Sequence, residues 1–134
     1  MDYVTDTHPL LWALFKPKLL GKAAFAVFKE VENRHARLYV PAIVLSEMIM
    51  VIEKGRIPNA TMPMLLTEID LMKLSPDHEL LALLPDTVLA SRTLTAIPDI
   101  FDRLIVAEAL RLGLPLITHD SVITNSGSVS VVWD

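Results

Sequence analysis

The chain has 134 residues, of which 52% are hydrophobic and 21% charged, and its formal net charge is −4. This length suits one domain with a buried core, and the composition excludes a disordered or low-complexity chain. The absence of cysteine excludes disulfide scaffolds, cysteine nucleophiles and cysteine-ligated zinc, and the negative charge excludes an overall basic surface. Neither a signal peptide nor a membrane span is predicted, which favours a cytoplasmic location.

Strand and helix patterns alternate along the chain. The first strand candidate is Tyr3–Thr5, and a helix capped by Asp6 or Thr7 follows it and ends at Pro17. Beyond it, the pattern predicts helices over about 21–34, 41–54, 61–73, 85–94 and 99–112 and strands over 37–40, 79–83, 114–118 and 130–133. This alternation predicts one α/β domain over residues 1–134, a three-layer α/β/α sandwich with a central, mainly parallel sheet.

Four acidic residues fall at the edge of the predicted sheet where its strands end. Asp6 follows the first strand, Glu47 lies in the helix after the second, Asp102 begins a later helix and Asp120 follows the strand at 114–118. In parallel sheets this edge is where ligands bind. Taken singly, the acids are explained as helix caps, a turn residue and an ion-pair member. Together they would repel by roughly 3 kcal/mol per pair at ~5 Å and an effective dielectric of 20, so either protonation or a cation must relieve them.

Glu47 is the most informative of the four acids. The residues three and four positions away on its helix are all apolar, namely Ile43, Val44, Met50 and Val51. The carboxylate is therefore expected to be partly buried, and a buried carboxylate needs a partner. A structural ion pair is the alternative interpretation.

Oxygen ligands without cysteine favour Mg²⁺ or Mn²⁺ over zinc. His8 and His119 lie beside Asp6 and Asp120 in the sequence, so a His–Asp zinc site is a weaker alternative. Asp99 has its own explanation as the N-cap of the helix that carries Asp102.

The segments around the four acids resemble the motifs of PIN domains, and especially those of VapC-type toxins. The resemblance is carried by residues 4–12 (VTDTHPLLW), 46–47 (SE), 98–107 (PDIFDRLIVA) and 116–120 (LITHD). These motifs occur in the family's order and span nearly the whole chain. Two departures are Ile100, where many relatives have proline, and Gly127 with its Ser and Asn neighbours, which changes the region after the last acid.

The resemblance implies a divalent-metal-dependent endoribonuclease that hydrolyses RNA phosphodiester bonds. It also implies the toxin of a type II toxin–antitoxin system, which forms a homodimer and is inhibited by a cognate antitoxin. The catalytic and metal-binding residues would be Asp6, Glu47, Asp102 and Asp120. The residues that support these ligands would be Thr118, Asp99 and Thr7. Basic candidates for contacts with substrate phosphates are Arg103, Lys16 and Lys18, with Lys22 and Arg56 as further possibilities.

Three other classes compete with the nuclease interpretation. A receiver-like domain needs an acidic pair after the first strand and a late lysine, whereas this chain has only Asp6 and then His119. A haloacid-dehalogenase-like hydrolase needs Asp-x-Asp, but residues 6–8 read Asp-Thr-His. A non-catalytic PIN-like protein-interaction module stays open, and metal binding distinguishes it. Its apolar surface, or that of a dimer or antitoxin interface, would use Trp12, Phe15, Met48, Met62, Met64 and Leu65, and the alternative is that about half of them belong to the ordinary core.

Overall fold

A central sheet of five parallel strands organises the fold. The computed structural model describes residues 1–134. The strands are β1 (Tyr3–Thr5), β2 (Leu38–Pro41), β3 (His78–Leu81), β4 (Leu116–Ile117) and β5 (Val131–Val132). They lie in the order β3-β2-β1-β4-β5, and all four pairings are parallel.

Seven α-helices connect and flank the strands. They are α1 (Thr7–Phe15), α2 (Lys22–Glu32), α3 (Ala42–Glu53), α4 (Met62–Leu74), α5 (Pro85–Ser91), α6 (Ile100–Leu112) and α7 (Ser121–Ser126), with a 3₁₀ turn at Pro17–Leu19. None of them combines the length and apolar character needed to cross a membrane. Connections between parallel strands are right-handed. The chain crosses the sheet in one direction from β1 to β3 and in the opposite direction from β3 to β5. The helices of the two halves therefore cover opposite faces of the sheet. The predicted α/β/α sandwich is confirmed.

The boundaries of several elements differ from the prediction. The helix α7 was not predicted, and β4 and β5 keep only two residues each of the longer predicted strands. The strand β3 begins one residue earlier than expected and ends two residues sooner. Helix α5 ends at Ser91, three residues before its predicted end, and turns follow it. These differences leave the order of elements unchanged.

The core fills both sides of the sheet. Val4, Leu38, Leu116 and Ile117 are completely buried, although adjacent residues of a strand point to opposite faces. Such two-sided burial is typical of a parallel sheet covered by helices. Two residues predicted as possible surface contacts, Met48 and Leu65, are completely buried in this core instead. Both lie on the inward face of a helix that carries apolar residues on several sides, so apolar content alone does not reveal which of them is buried.

An aspartate caps the N-terminus of each of three helices. Asp6 accepts the amide of Thr7 in α1, Asp99 accepts two amides of α6, and Asp120 accepts the amide of Ile123 in α7. All three capping residues have extended backbone, as N-caps do. Helices α1 and α7 begin directly after β1 and β4, so two of these caps lie at the carboxyl edge of the sheet.

Candidate active site

The site lies at the point where the sheet reverses its direction of growth. The chain builds β1, β2 and β3 in one direction and then returns to place β4 on the other side of β1. Ligands of open α/β sheets bind in the crevice that such a reversal creates. Asp6 follows β1 and Thr118 follows β4, and the Thr118 hydroxyl donates a hydrogen bond of 2.7 Å to Oδ2 of Asp6.

Asp6 is nearly buried and held from two sides. Its Oδ1 accepts the Thr7 amide at 2.8 Å while Oδ2 accepts the Thr118 hydroxyl. Burial raises the pKa of Asp6 above its ordinary value, and these two hydrogen bonds oppose that shift. The carboxylate is therefore fixed in orientation before any ligand arrives.

Glu47 reaches the same crevice from the second turn of α3. Its Oε1 accepts a hydrogen bond of 2.6 Å from the hydroxyl of Thr7. Burial raises the pKa of Glu47, and the nearby carboxylates of Asp6 and Asp99 add to that shift. The predicted partial burial is thus observed, and the partner is a threonine hydroxyl rather than a basic side chain.

Asp102 has the most perturbed carboxyl group of the site. Burial raises its pKa to about 7, and four other acids contribute by repulsion: Asp6, Asp99, Asp120 and Glu47. Near neutral pH this group therefore binds a proton about half of the time. The shift shows that the acids predicted to share one edge of the sheet lie near enough to interact.

Asp120 is tied to Asp6 through one buried hydroxyl. The Thr118 side chain, which donates to Asp6, also accepts the Asp120 amide at 3.1 Å. Oδ1 of Asp120 accepts the Ile123 amide at 2.9 Å and so caps α7. Thr118 is completely buried, so it links the ends of β1 and β4 in a fixed geometry.

The four predicted acids line one open cleft of about 280 Å³. Thr7 lines it as well, together with His8 and His119. Asp99 does not line the cleft, since its carboxylate caps α6 at 2.8 Å from the Phe101 amide and 3.1 Å from the Asp102 amide. The structure therefore brings the four acids together and leaves Asp99 exposed, outside the cleft wall.

The basic residues predicted to contact substrate phosphates do not line the cleft with the acids. Nε of Arg103 donates to the carbonyl oxygen of Ile97, and neither Lys16 nor Lys18 lines the cleft. Both lysines follow the last turns of α1, about 15 Å along the helix axis from its capped end. Their role in substrate binding stays a prediction.

Two features beside the cleft were not predicted from the sequence to belong to the site. A smaller adjoining hollow of about 130 Å³ is lined by Thr7, Glu47, Lys54 and Arg56 among others. Lys54 lies seven residues after Glu47, which places both on one helix face, so the spacing already contained this signal. The other feature is Trp133, whose indole packs against His119 with ring centres 4.5 Å apart.

The residues fit a divalent cation in their chemistry. All four acids offer oxygen ligands, and their mutual repulsion is what bound positive charge relieves. No three His, Asp or Glu side chains form a preassembled metal cluster, so direct ligation by three of them would require the side chains to move closer together. The two histidines lie near the acids, but hard oxygen donors dominate the site and favour Mg²⁺ or Mn²⁺ over zinc.

The fold and the cleft define an α/β/α domain that gathers four carboxylates at the carboxyl edge of its sheet. The PIN domain family model matches residues 3–126. The chain belongs to the PIN domain family, whose members are in general nucleases that use divalent metal ions. No curated protein sequence matches the chain significantly.

Solved structures of other proteins share this fold. VapBC2 from Rickettsia felis, bound to a DNA fragment from its promoter, aligns with a TM-score of 0.72 at 16% identity, covering 100% of both chains. FitAcB from Neisseria gonorrhoeae aligns with a TM-score of 0.66 at 15% identity over 96% of this chain and 95% of that one. VapBC-1 from nontypeable Haemophilus influenzae gives 0.59 at 22% identity over 98% and 96%. At these identities the similarity is one of fold.

Proposed function

We propose that the chain is a divalent-metal-dependent endoribonuclease whose metal ligands and catalytic residues are Asp6, Glu47, Asp102 and Asp120. The main support is that these four acids line one open cleft, where burial and the repulsion of the neighbouring carboxylates raise the pKa of Asp102 to about 7. Such crowding is costly to a protein unless a cation offsets it. Membership of a family of nucleases supports hydrolysis of a phosphodiester.

The side chains around the cleft hold the ligands rather than attack the substrate. The hydroxyls of Thr7 and Thr118 both donate to carboxylates, so neither is free to act as a nucleophile. Bound Mg²⁺ or Mn²⁺ would supply activation of the attacking water and neutralisation of charge that develops on the phosphate. Lys54 and Arg56, in the hollow next to Glu47, are placed to bind a neighbouring phosphate of the RNA. Asp99 supports the site by capping α6 and thereby orienting Asp102.

As partners we propose a cognate antitoxin, which would make the chain the toxin of a type II pair acting in the cytoplasm. The sequence motifs resemble VapC-type toxins, and the structural neighbours include VapBC and FitAcB. An apolar groove of about 420 Å³ between α1, α2 and α4 fits an apolar helix of such a partner; its walls include Leu14, Phe28 and Met72.

A homodimer is the second proposed assembly. Several large apolar side chains are exposed on α5 and α6: Val88, Leu89, Ile100, Phe101 and Leu110. Helices α5 and α6 pack against each other, and exposed apolar side chains on neighbouring elements are typical of interfaces. Sedimentation equilibrium of the purified chain would give the mass of a dimer, and Leu89→Lys would shift it toward the monomer.

The first experiment measures cleavage of a labelled structured RNA with Mg²⁺, with Mn²⁺ and with EDTA. We expect cleavage only with metal, and its loss in Asp102→Asn. Asp70→Asn is the matched control, since Asp70 is an exposed aspartate of α4 outside the cleft. Cleavage in EDTA, or undiminished cleavage by Asp102→Asn, would contradict the proposal. Calorimetric titration with Mn²⁺ tests the alternative of a non-catalytic interaction module: no binding to the wild-type chain would favour that module.

A further inference from the structure

Both tryptophans of the chain and two of its four histidines form one aromatic cluster beside the acids. Trp12 lies 5.6 Å from His8, 6.2 Å from His119 and 5.7 Å from Trp133 between ring centres. The rings of His119 and Trp133 are 4.5 Å apart and inclined by 31°. These four side chains, here called the aromatic platform, come from α1, from the loop after β4 and from the segment after β5.

The aromatic platform is open to solvent and continuous with the cleft. His8 and His119 are exposed, and the two tryptophans are half-buried. His8, Trp12 and His119 form part of the cleft wall that also contains the acids. On its other side, His119 and Trp133 line a second hollow of about 270 Å³ whose polar groups include Thr124 and Asn125. A cluster that served only the core would not present its rings to two hollows.

The backbone holds Trp133 in position. Its carbonyl oxygen accepts the Ala24 amide of α2 at 2.9 Å. Gly21 lies so close that a Cβ atom there would collide with the carbonyl oxygen and indole nitrogen of Trp133. A glycine is therefore needed for this approach, and the indole is positioned before any ligand binds.

We propose that the aromatic platform stacks an unpaired base of the nucleotide next to the phosphate in the acidic cleft. The proposal rests on the proposed nuclease function and assigns the site that binds the neighbouring base to these four side chains. His119 lies between Thr118 and Asp120 in the sequence, so a base on its ring is within one nucleotide of a phosphate near the acids. Aromatic rings bind the faces of unpaired bases, whereas a duplex keeps those faces stacked inside.

Tryptophan fluorescence, excited selectively over that of Tyr3 and Tyr39, reports on the aromatic platform alone, because the chain has no tryptophan outside it. The probe is a nine-nucleotide RNA of mixed sequence, used as a single strand, annealed to its complement, and as the same backbone without bases. The protein is Asp102→Asn with Mg²⁺, so that the RNA stays intact. We expect saturable quenching by the single strand and about 5- to 100-fold weaker binding of the baseless backbone and of the duplex.

Two variants separate stacking from support of the fold. Trp133→Leu should bind the single strand as weakly as the baseless backbone, and Trp133→Phe should restore most of the affinity. Phe25→Leu is the matched control, since Phe25 is an exposed aromatic of α2 outside the cluster. Circular dichroism verifies folding, and Trp12→Leu replaces any Trp133 variant that does not fold.

The outcomes distinguish this proposal from the nuclease proposal. Equal affinity for the strands with and without bases overturns the stacking proposal, and metal-dependent cleavage by the wild-type chain would still support the nuclease. Base-dependent quenching without any cleavage supports stacking and contradicts the nuclease proposal. Absence of both overturns both.

Discussion

The raised pKa of Asp102 predicts that Asp102→Asn stabilises the metal-free protein. A carboxyl whose pKa moves from 3.8 to about 7 on folding opposes folding at pH 8 by about 4 kcal/mol at most, since one pKa unit corresponds to about 1.4 kcal/mol. The group is only half-buried, so solvent screening reduces the expected effect to about 1–2 kcal/mol. With an unfolding entropy of about 2.1 cal/mol/K per residue, the neutral variant should melt about 4–7 °C higher.

The sign of the pH dependence follows from the direction of the shift. Between pH 4 and pH 7 the folded protein holds a proton on Asp102 that the unfolded chain has lost, so wild-type stability falls as the pH rises. The difference in Tm between Asp102→Asn and wild type should therefore be largest at pH 8 and shrink toward pH 4. Calorimetric scans in EDTA at both pH values measure it.

The control is Asp70→Asn, which makes the same chemical change at an exposed position and should shift Tm by less than about 2 °C. Addition of Mn²⁺ should raise the Tm of wild type and of this control but not that of Asp102→Asn. If Asp102→Asn melted below wild type at pH 8, or if its advantage were equal at pH 4 and pH 8, the explanation by burial and carboxylate repulsion would be refuted.

Three further changes test the supporting contacts. Thr118→Val removes a buried hydroxyl that holds Asp6 and should cost about 1–3 kcal/mol in urea denaturation; unchanged stability would contradict the fixed geometry. Gly21→Ala should destabilise the fold by about 1–3 kcal/mol and shift tryptophan emission, because the new methyl group displaces Trp133. Arg56→Ala should weaken RNA binding and lower the slope of log affinity against log salt concentration by about one. An unchanged slope would show that Arg56 does not contact a phosphate.

The acids of the site were predictable because the rule that places them is topological. Asp6 and Asp120 each follow a strand, and a parallel sheet brings such positions to one edge whatever the packing details. The partial burial of Glu47 was predictable from its apolar helix neighbours, and a buried carboxylate needs a partner. The pairing of Glu47 with Thr7 was not predictable, because it joins two helices across forty residues of sequence.

The features missed in the sequence depend on short or distant contacts. Helix α7 has six residues and no apolar period long enough to identify it, although its cap Asp120 was noted. Trp133 follows a strand of two residues, and only the register of β5 beside β4 brings it to His119. The burial of Met48 reflects which face of α3 turns inward, a property of the whole sheet rather than of local sequence.

The three capping aspartates have a consequence for how this chain can change over generations. Asparagine caps a helix about as well as aspartate, so replacing Asp6 or Asp120 by asparagine keeps the hydrogen bonds to the α1 and α7 amides. The same replacement removes negative charge from a crowded cleft. Loss of a carboxylate that we propose to bind metal therefore leaves these helix caps in place, and selection for helix capping does not oppose it. Under the proposed function, one such substitution would separate a nuclease from a folded protein with the same surface, so a lineage of this fold could lose catalysis and persist as a binding protein.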